Sequence, residues 1–306
     1  MTASASSGMS PSVDDLIRGL SMRRYLAGRP LATVLCVALR LRRPLLLEGE
    51  AGVGKTELGK TLADVLGARL IRLQCYEGID VAHALYDWNY ARQMLYIRTL
   101  EAAQAGSEET VPELFGREFL VRRPLLDAIE HSDSVPPVLL IDEIDRADDE
   151  FEAFLLELLA DFQVTIPELG TIAANAAPTV IVTSNRTREL HDALRRRCLY
   201  FWIGHPTPEQ EVAILRARVP GVAERLAREA AAFVAAMRGL DLVKSPGVAE
   251  TLDWVEAMAM FGSDDLDPEL AELTLGALVK YREDAERAAA HGIGNLVAAA
   301  RVAARS

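Results

Sequence analysis

Short apolar runs alternate with amphipathic stretches along the first two thirds of the chain. The runs are Leu45–Leu47, Leu70–Gln74, Val138–Ile141, Val180–Ser184 and Leu199–Ile203, and Thr56–Leu66, Leu125–Glu130 and Glu150–Phe162 between them have helical character. That alternation predicts an α/β fold, a mostly parallel sheet with helices on both faces. Val138–Ile141 is continuous rather than alternating, as expected of a strand covered on both sides. His205-Pro206-Thr207-Pro208 then breaks the pattern. Thr207 and Gln210 have capping-box spacing and Pro208 falls at a first helical position, so a helix is expected to start there. Beyond it the chain is Ala-rich and reads as helix. Val248, Leu252, Val255 and Ala259 share one helical face, as do Leu270, Leu273, Ala277 and Tyr281. Gly262-Ser263 stops the first of these helices and Asp267-Pro268 opens the second. The expected organisation is a leader at 1–12, an α/β domain at 13–205 and a smaller all-α domain at 206–306.

A chain of 306 residues suits one large domain or two smaller ones. The net charge of −12 argues against a nucleic-acid backbone as the main partner, while leaving room for a local basic patch. Cys36, Cys75 and Cys198 lie far apart without metal-like pairing, so neither disulfides nor zinc are expected, and a reducing, cytoplasmic setting is. No apolar run approaches the length of a membrane span. Met1 to Ser12 is Ser/Ala-rich, lacks the basic and apolar regions of a signal peptide, and reads as a disordered leader.

The first apolar run flows directly into Gly49-Glu50-Ala51-Gly52-Val53-Gly54-Lys55-Thr56, a phosphate-cradling loop opening a helix. Glycines let the backbone turn tightly and aim N–H groups at an anion. Lys55 supplies a cation for the β- and γ-phosphates, the Thr56 hydroxyl is placed to hold Mg²⁺, and the following helix presents its positive end. The chain is expected to bind a nucleoside triphosphate, with ATP and Mg²⁺ as the pair.

Val138–Ile141 leads into Asp142-Glu143. After such a loop, the first carboxylate at a strand end helps hold Mg²⁺ and the second can polarise the attacking water. A base for water favours hydrolysis over transfer to a small acceptor, from which water must be excluded. Asn185, after Val180–Ser184, either caps an ordinary turn or orients the water and γ-phosphate. Arg195-Arg196-Arg197 has three readings: a solvated face, a nucleic-acid patch, or an arginine finger acting on a neighbouring subunit, with Arg197 foremost and Arg196 second.

Taken in order, these residues resemble the AAA+ ATPases from residue 13 to 300. Gly49–Thr56 is similar to Walker A, Asp142-Glu143 to Walker B, Asn185 to sensor 1 and Arg197 to the arginine finger. Asp142-Glu143-Ile144-Asp145-Arg146-Ala147, then Leu155-Leu156-Glu157 and Phe162-Gln163-Val164-Thr165-Ile166, resembles the MoxR-type branch, with Asp145 where that branch usually has Asn. Arg72–Gly78 and Tyr86-Asp87-Trp88-Asn89-Tyr90 resemble CoxD-type ATPases, although an aromatic cluster of this kind also suits an ordinary packed loop. MoxR-type proteins carry Ser-Pro-Arg with a sensor-2 arginine; here Ser245-Pro246-Gly247 lacks it, and nearby Lys244 has a different geometry. The resemblance implies a helical lid, a hexameric homo-oligomer with ATP between subunits, and chaperone-like remodelling of a client. That client would be a metalloenzyme, such as a molybdenum-containing carbon monoxide dehydrogenase, with a von Willebrand A-type partner. No nucleic acid is expected. The alternatives are a nucleic-acid motor or clamp-loader-like ATPase and, further off, a small-molecule kinase.

Overall fold

The computed structural model describes residues 11–102 and 114–305. The leader expected at 1–12 therefore falls largely outside the described residues. Ser12 itself caps the first helix, Val13–Met22: its hydroxyl donates to the Asp15 carboxylate at 2.6 Å and accepts from the Asp15 N–H at 3.2 Å.

The strands in chain order are β1 (Leu45–Glu48), β2 (Leu70–Gln74), β3 (Tyr86–Trp88), β4 (Leu120–Arg122), β5 (Val138–Asp142), β6 (Gln163–Ile166), β7 (Gly170–Ala173), β8 (Thr179–Ser184) and β9 (Leu199–Trp202). Five form one sheet in the order β2-β5-β8-β1-β9, while β3-β4 and β6-β7 are separate ribbons. β2 with β5, β5 with β8, and β8 with β1 are all parallel. Every residue of β1 and β5 is buried, as their uninterrupted apolar runs require of strands covered on both faces. Because the strands run the same way, their carboxyl ends share one edge: Glu48 lies opposite Ser184, Ile141 opposite Val182, and Gln74 opposite Asp142. In open α/β sheets that edge is where ligands bind.

Two compact units divide the chain. One comprises the described residues within Met1–Leu16, Arg29–Glu48 and Leu58–Phe201; the other comprises those within Ile17–Gly28, Gly49–Glu57 and Trp202–Ser306. The first is built on the sheet, its core drawing on Leu46, Leu139, Ile141, Val182, Phe151 and Leu155. The second has a helical core containing Leu226, Phe233, Trp254, Met258, Leu278 and Val297. Burial on this scale is the main favourable term in each unit.

The helix Pro208–Arg218 begins at Thr207 with both halves of its capping box formed and Pro208 in its first turn. On Val248–Met260 the expected face carries buried Val255 with part-buried Val248, Leu252 and Ala259. Beside it Thr251, Trp254 and Met258 are also buried, Trp254 packing 5.1 Å from Phe233. One expectation about helical faces needs correction. The expected single helix through Leu270, Leu273, Ala277 and Tyr281 is two, Pro268–Leu273 and Leu275–Leu278. Thr274 divides them: its hydroxyl accepts from Trp254 Nε1 at 2.9 Å and donates to the Leu270 carbonyl at 2.6 Å. Ala271, Leu275 and Leu278 turn inward, whereas Leu273 is 77% exposed and Tyr281 is exposed too. Leu199–Trp202 also ends one residue short of the expected Ile203. Among the described residues, no helix is long and apolar enough to cross a membrane.

The aromatic block at 86–90 contributes to the first core. Trp88 meets Tyr86 and Phe115 edge-on at 6.1 and 5.3 Å, and β3 pairs antiparallel with β4.

Candidate functional site

Gly49–Gly54 leads from β1 into the helix Lys55–Leu66. Lys55 is 6% exposed, and its ammonium donates to the carbonyls of Gly49 at 2.7 Å and Glu50 at 2.6 Å. The cation is thus held against its own loop. Gly52 has φ +80°, a conformation costly to any residue with a Cβ. Behind it stands the amino end of Val248–Met260. Ala249 N–H donates to the Gly52 carbonyl at 3.2 Å, and a Cβ on Gly247 would lie 2.8 Å from the Ala51 oxygen and 2.9 Å from Gly52 Cα. Gly247 therefore stands where a side chain has no room, which gives a physical reason for the absent arginine. On the same unit Arg218 pairs with Glu57 at 2.8 Å. Tyr25 packs by Gly54, with its phenol pushed up by burial and then by the Glu57 charge.

The carboxylates are set differently. Asp142 ends β5 and is 1% exposed; its Oδ2 accepts from Arg72 Nε at 3.0 Å and Nη2 at 2.6 Å, and its Oδ1 from the Thr183 hydroxyl at 2.6 Å. That hydroxyl in turn accepts the Glu143 N–H at 2.9 Å. One threonine on β8 thus fixes both acidic residues, donating to one and accepting from the other. Glu143 adopts a left-handed backbone, φ +56° and ψ +52°, which swings its side chain out of line with the strand. Its carboxylate accepts from Gln74 Nε2 at 3.0 Å and Arg146 Nη1 at 3.2 Å. Cys75 lies under this group, its backbone N–H donating to the Asp142 carbonyl at 2.9 Å. Burial, then the charges of Asp142, Asp145 and Glu143, push its thiol up to about 12.

Asn185 follows β8 and is half-buried, its N–H bonded to Asp145 Oδ2. The three arginines separate in role. Arg195 Nη2 pairs at 2.8 Å with Glu48, a buried carboxylate that also accepts from the Tyr200 hydroxyl at 3.1 Å. The carbonyls of Arg196 and Arg197, ending the helix Asp192–Arg197, are held by the Arg43 guanidinium at 2.8 and 3.2 Å. Both of their side chains are exposed, and neither guanidinium has a hydrogen bond or ion pair among the described residues.

Asp142, Glu143 and Asn185 thus belong to one connected group at the sheet edge. The residues that connect them are Arg72, Gln74, Thr183 and Asp145, while Arg43 and Glu48 hold the arginine helix. The sequence does not mark any of these as a site residue. Polar side chains at Arg72 and Gln74 on an otherwise apolar strand were the available signal. Which acids they meet depends on β2 lying beside β5. Among the described residues no three His, Cys, Asp or Glu side chains come together as a metal site.

Residues 44–198 match the family model of the AAA domain, dynein-related subfamily. Over 167 residues the chain is 28% identical to an uncharacterised protein of Staphylococcus saprophyticus, covering 52% of this chain and 54% of that protein. A 48-residue stretch is 44% identical to midasin of Giardia intestinalis, 16% of this chain and 1% of midasin. The chain thus spans about half the length of the first relative and a small fraction of the second. Two solved structures are also similar: the Thermotoga maritima RuvB Holliday junction branch migration motor and a mutant of Thermotoga maritima RuvB. Identities are 18% and 16%, TM-scores 0.46 and 0.48, with 81% and 90% of this chain and 66% and 72% of those chains covered.

Proposed function

We propose, because this chain belongs to the dynein-related subfamily of AAA domains and so has an NTP-hydrolysing P-loop fold, that it is an ATPase of MoxR type that remodels a partner protein. In this reading the backbone of Gly49, Glu50, Ala51, Gly52, Val53 and Gly54 holds the phosphates, with Lys55 as their cation. Mg²⁺ would be held by the Thr56 hydroxyl and the Asp142 carboxylate. That donor set of hard oxygens suits a cation that keeps several waters and arrives with phosphate, and the ion would neutralise charge on the phosphate oxygens. Glu143 takes a proton from water, Asn185 orients that water, and Arg197 completes the site of a neighbouring subunit in a ring, taken as a hexamer. The client would be a metalloenzyme undergoing maturation, with a von Willebrand A-type partner, and the setting cytoplasmic.

The observation that carries this reading is the division among the arginines. Arg195 is committed to Glu48 within its own subunit, while Arg196 and Arg197 extend from a helix end whose backbone is clamped by Arg43. An exposed guanidinium on a fixed base is what a residue acting in trans requires, and such a group is worth about 10³–10⁵ in rate. Glu143 supports the reading as well, because its carboxylate is only part-buried and is oriented by two donors.

The test is specific ATPase activity across a wide range of protein concentration. Activity per subunit should rise and saturate as rings assemble. Glu143→Gln should keep ATP binding and lose turnover, and Arg197→Ala should lower turnover about 10³-fold in a folded protein. Activity that is flat with concentration and indifferent to Arg197→Ala would remove the trans role.

A further inference from the structure

Asp145 lies two residues beyond Glu143, in the single turn Ile144–Arg146 that follows β5, and is 3% exposed. Its Oδ2 accepts three hydrogen bonds: from the Asn185 N–H at 3.1 Å, the Thr187 N–H at 2.9 Å and the Thr187 hydroxyl at 2.7 Å. Between the two N–H donors sits Arg186, a non-glycine residue at φ +57°. A left-handed residue of that kind costs about 1–2 kcal/mol and persists only where its surroundings over-determine it. Here the left-handed turn points the N–H groups of residues 185 and 187 at one oxygen. Such a turn is a backbone nest for an anion, and the Asp145 carboxylate fills it from inside the protein.

The other oxygen, Oδ1, is buried and accepts nothing. All the holding is done by a single acceptor oxygen, so the negative charge is not what the geometry requires. An amide has the same shape and keeps one such oxygen.

We propose that Asp145 is a positioning residue that joins the Glu143 turn to the Asn185 loop as one rigid piece. The group that takes a proton from water and the group that orients the water then keep a fixed spacing. The inference rests on the ATPase reading above for its catalytic consequence, and on the three hydrogen bonds for its structural one.

Two readouts test it, one of which needs no turnover. Asp145→Ala should lower kcat by about 10–100-fold, the range expected when a reacting group is misplaced by about an ångström. KM for ATP should stay within about threefold, because phosphate binding is made elsewhere. Asp145→Asn should restore kcat to within about threefold of the original. In parallel, hydrogen exchange of the amides at 185–187 should quicken at least about tenfold in Asp145→Ala, as two protected N–H groups lose their acceptor, and stay near the original in Asp145→Asn. If Asp145→Ala does not fold, Thr187→Val decides, because residue 187 is exposed. Losing a hydroxyl that reaches the Asp145 carboxylate at 2.7 Å and its carbonyl at 3.3 Å should lower kcat at least about fivefold.

An unchanged kcat in Asp145→Ala, or in Thr187→Val should that variant be needed, overturns the proposal. So does unchanged exchange, and so does Asp145→Asn behaving like Asp145→Ala. Should the original chain hydrolyse no ATP at any concentration, the ATPase reading fails and the catalytic consequence with it. Hydrolysis that Asp145→Ala leaves intact defeats this inference alone.

Discussion

The glycine-rich loop Gly49–Gly54 and the strand-end carboxylates are built by contrasting means. In the loop the backbone is what the proposed reading uses, and the neighbouring elements are notable for what they leave out. Ile203 and Gly247 approach so closely that a Cβ on Gly49 or Gly247 would collide with main-chain oxygen. At Asp142 and Glu143 the chemistry belongs to side chains, each held by several others: Arg72 and Thr183 on the first, Gln74 and Arg146 on the second. One region depends on absent atoms and the other on present ones. Small additions should therefore harm the first and small deletions the second.

The largest effect is expected from adding a methyl to the loop. In Gly52→Ala the new Cβ must accept φ +80° and lie 2.6 Å from the Glu250 carboxylate. Left-handed strain of about 1–2 kcal/mol adds to overpacking of about 1–3 kcal/mol. A fall in Tm of several degrees and weakened ATP binding, read by thermal unfolding and nucleotide titration, are the expected outcomes. Gly247→Ala isolates crowding, because its backbone, φ −85° and ψ −180°, suits any residue. Its Cβ meets main-chain atoms of Ala51 and Gly52 at 2.8 and 2.9 Å, which yield less readily than the Glu250 side chain facing Gly52. A fall in Tm is therefore expected there too, and an unchanged Tm in Gly247→Ala would mean that this crowding contributes nothing.

Deletion at the carboxylates comes next. Arg72→Met removes the two guanidinium donors to Asp142 Oδ2 and keeps much of the aliphatic stem. Asp142 then stays buried with Thr183 as its remaining side-chain donor among the hydrogen bonds described above. A buried charge losing its partner costs about 1–3 kcal/mol, moderated because Arg72 itself is part-exposed. Combining the change with Asp142→Asn should recover most of the loss, since the charge to be matched is gone. Urea unfolding of the two single variants and the double variant gives that coupling directly; strict additivity would show that the pair contributes nothing jointly.

The same contrast governs how much of the molecule could be read in advance. Glycines spaced around Lys55 report the loop without any knowledge of the fold, because the need for them is local. The five sheet strands were legible for a similar reason: each is a short apolar run, and the structure moves their ends by a residue or so. What holds Asp142 and Glu143 was not legible. Arg72 and Gln74 are two polar residues on β2 until the parallel register sets Gln74 opposite Asp142. The helices after residue 206 fared unevenly for the same cause. Their start at Thr207 is written locally in a capping box, whereas the break at Thr274 depends on a hydrogen bond from Trp254, twenty residues earlier. Gly247 lies between these cases: the departure from Ser-Pro-Arg is visible in the sequence, but the crowding that explains it belongs to the folded chain.

The smallest expected effect concerns Cys75 and sharpens the charge side of the comparison. Its thiol, ordinarily near 9, is pushed up to about 12 by burial and then by three carboxylates. Cys198 is also pushed up to about 12 by burial, but there the nearby Arg43 charge opposes the shift. A raised acid pKa means that the folded chain keeps a proton the unfolded chain has released. Stability from each thiol is therefore whole below pH 9 and declines as the pH rises from about 9 towards 12. The slope is at most about 1.4 kcal/mol per pH unit per thiol. Urea unfolding at pH 8, 9 and 10 should show a decline that Cys75→Ala and Cys198→Ala each make shallower. Glu143→Gln removes one of the charges raising Cys75 and none of those named for Cys198. It should bring the Cys75 contribution to an end at lower pH and leave that of Cys198 where it was. An equal response of both thiols would mean that burial alone sets Cys75, and that the carboxylates act on nothing beneath them.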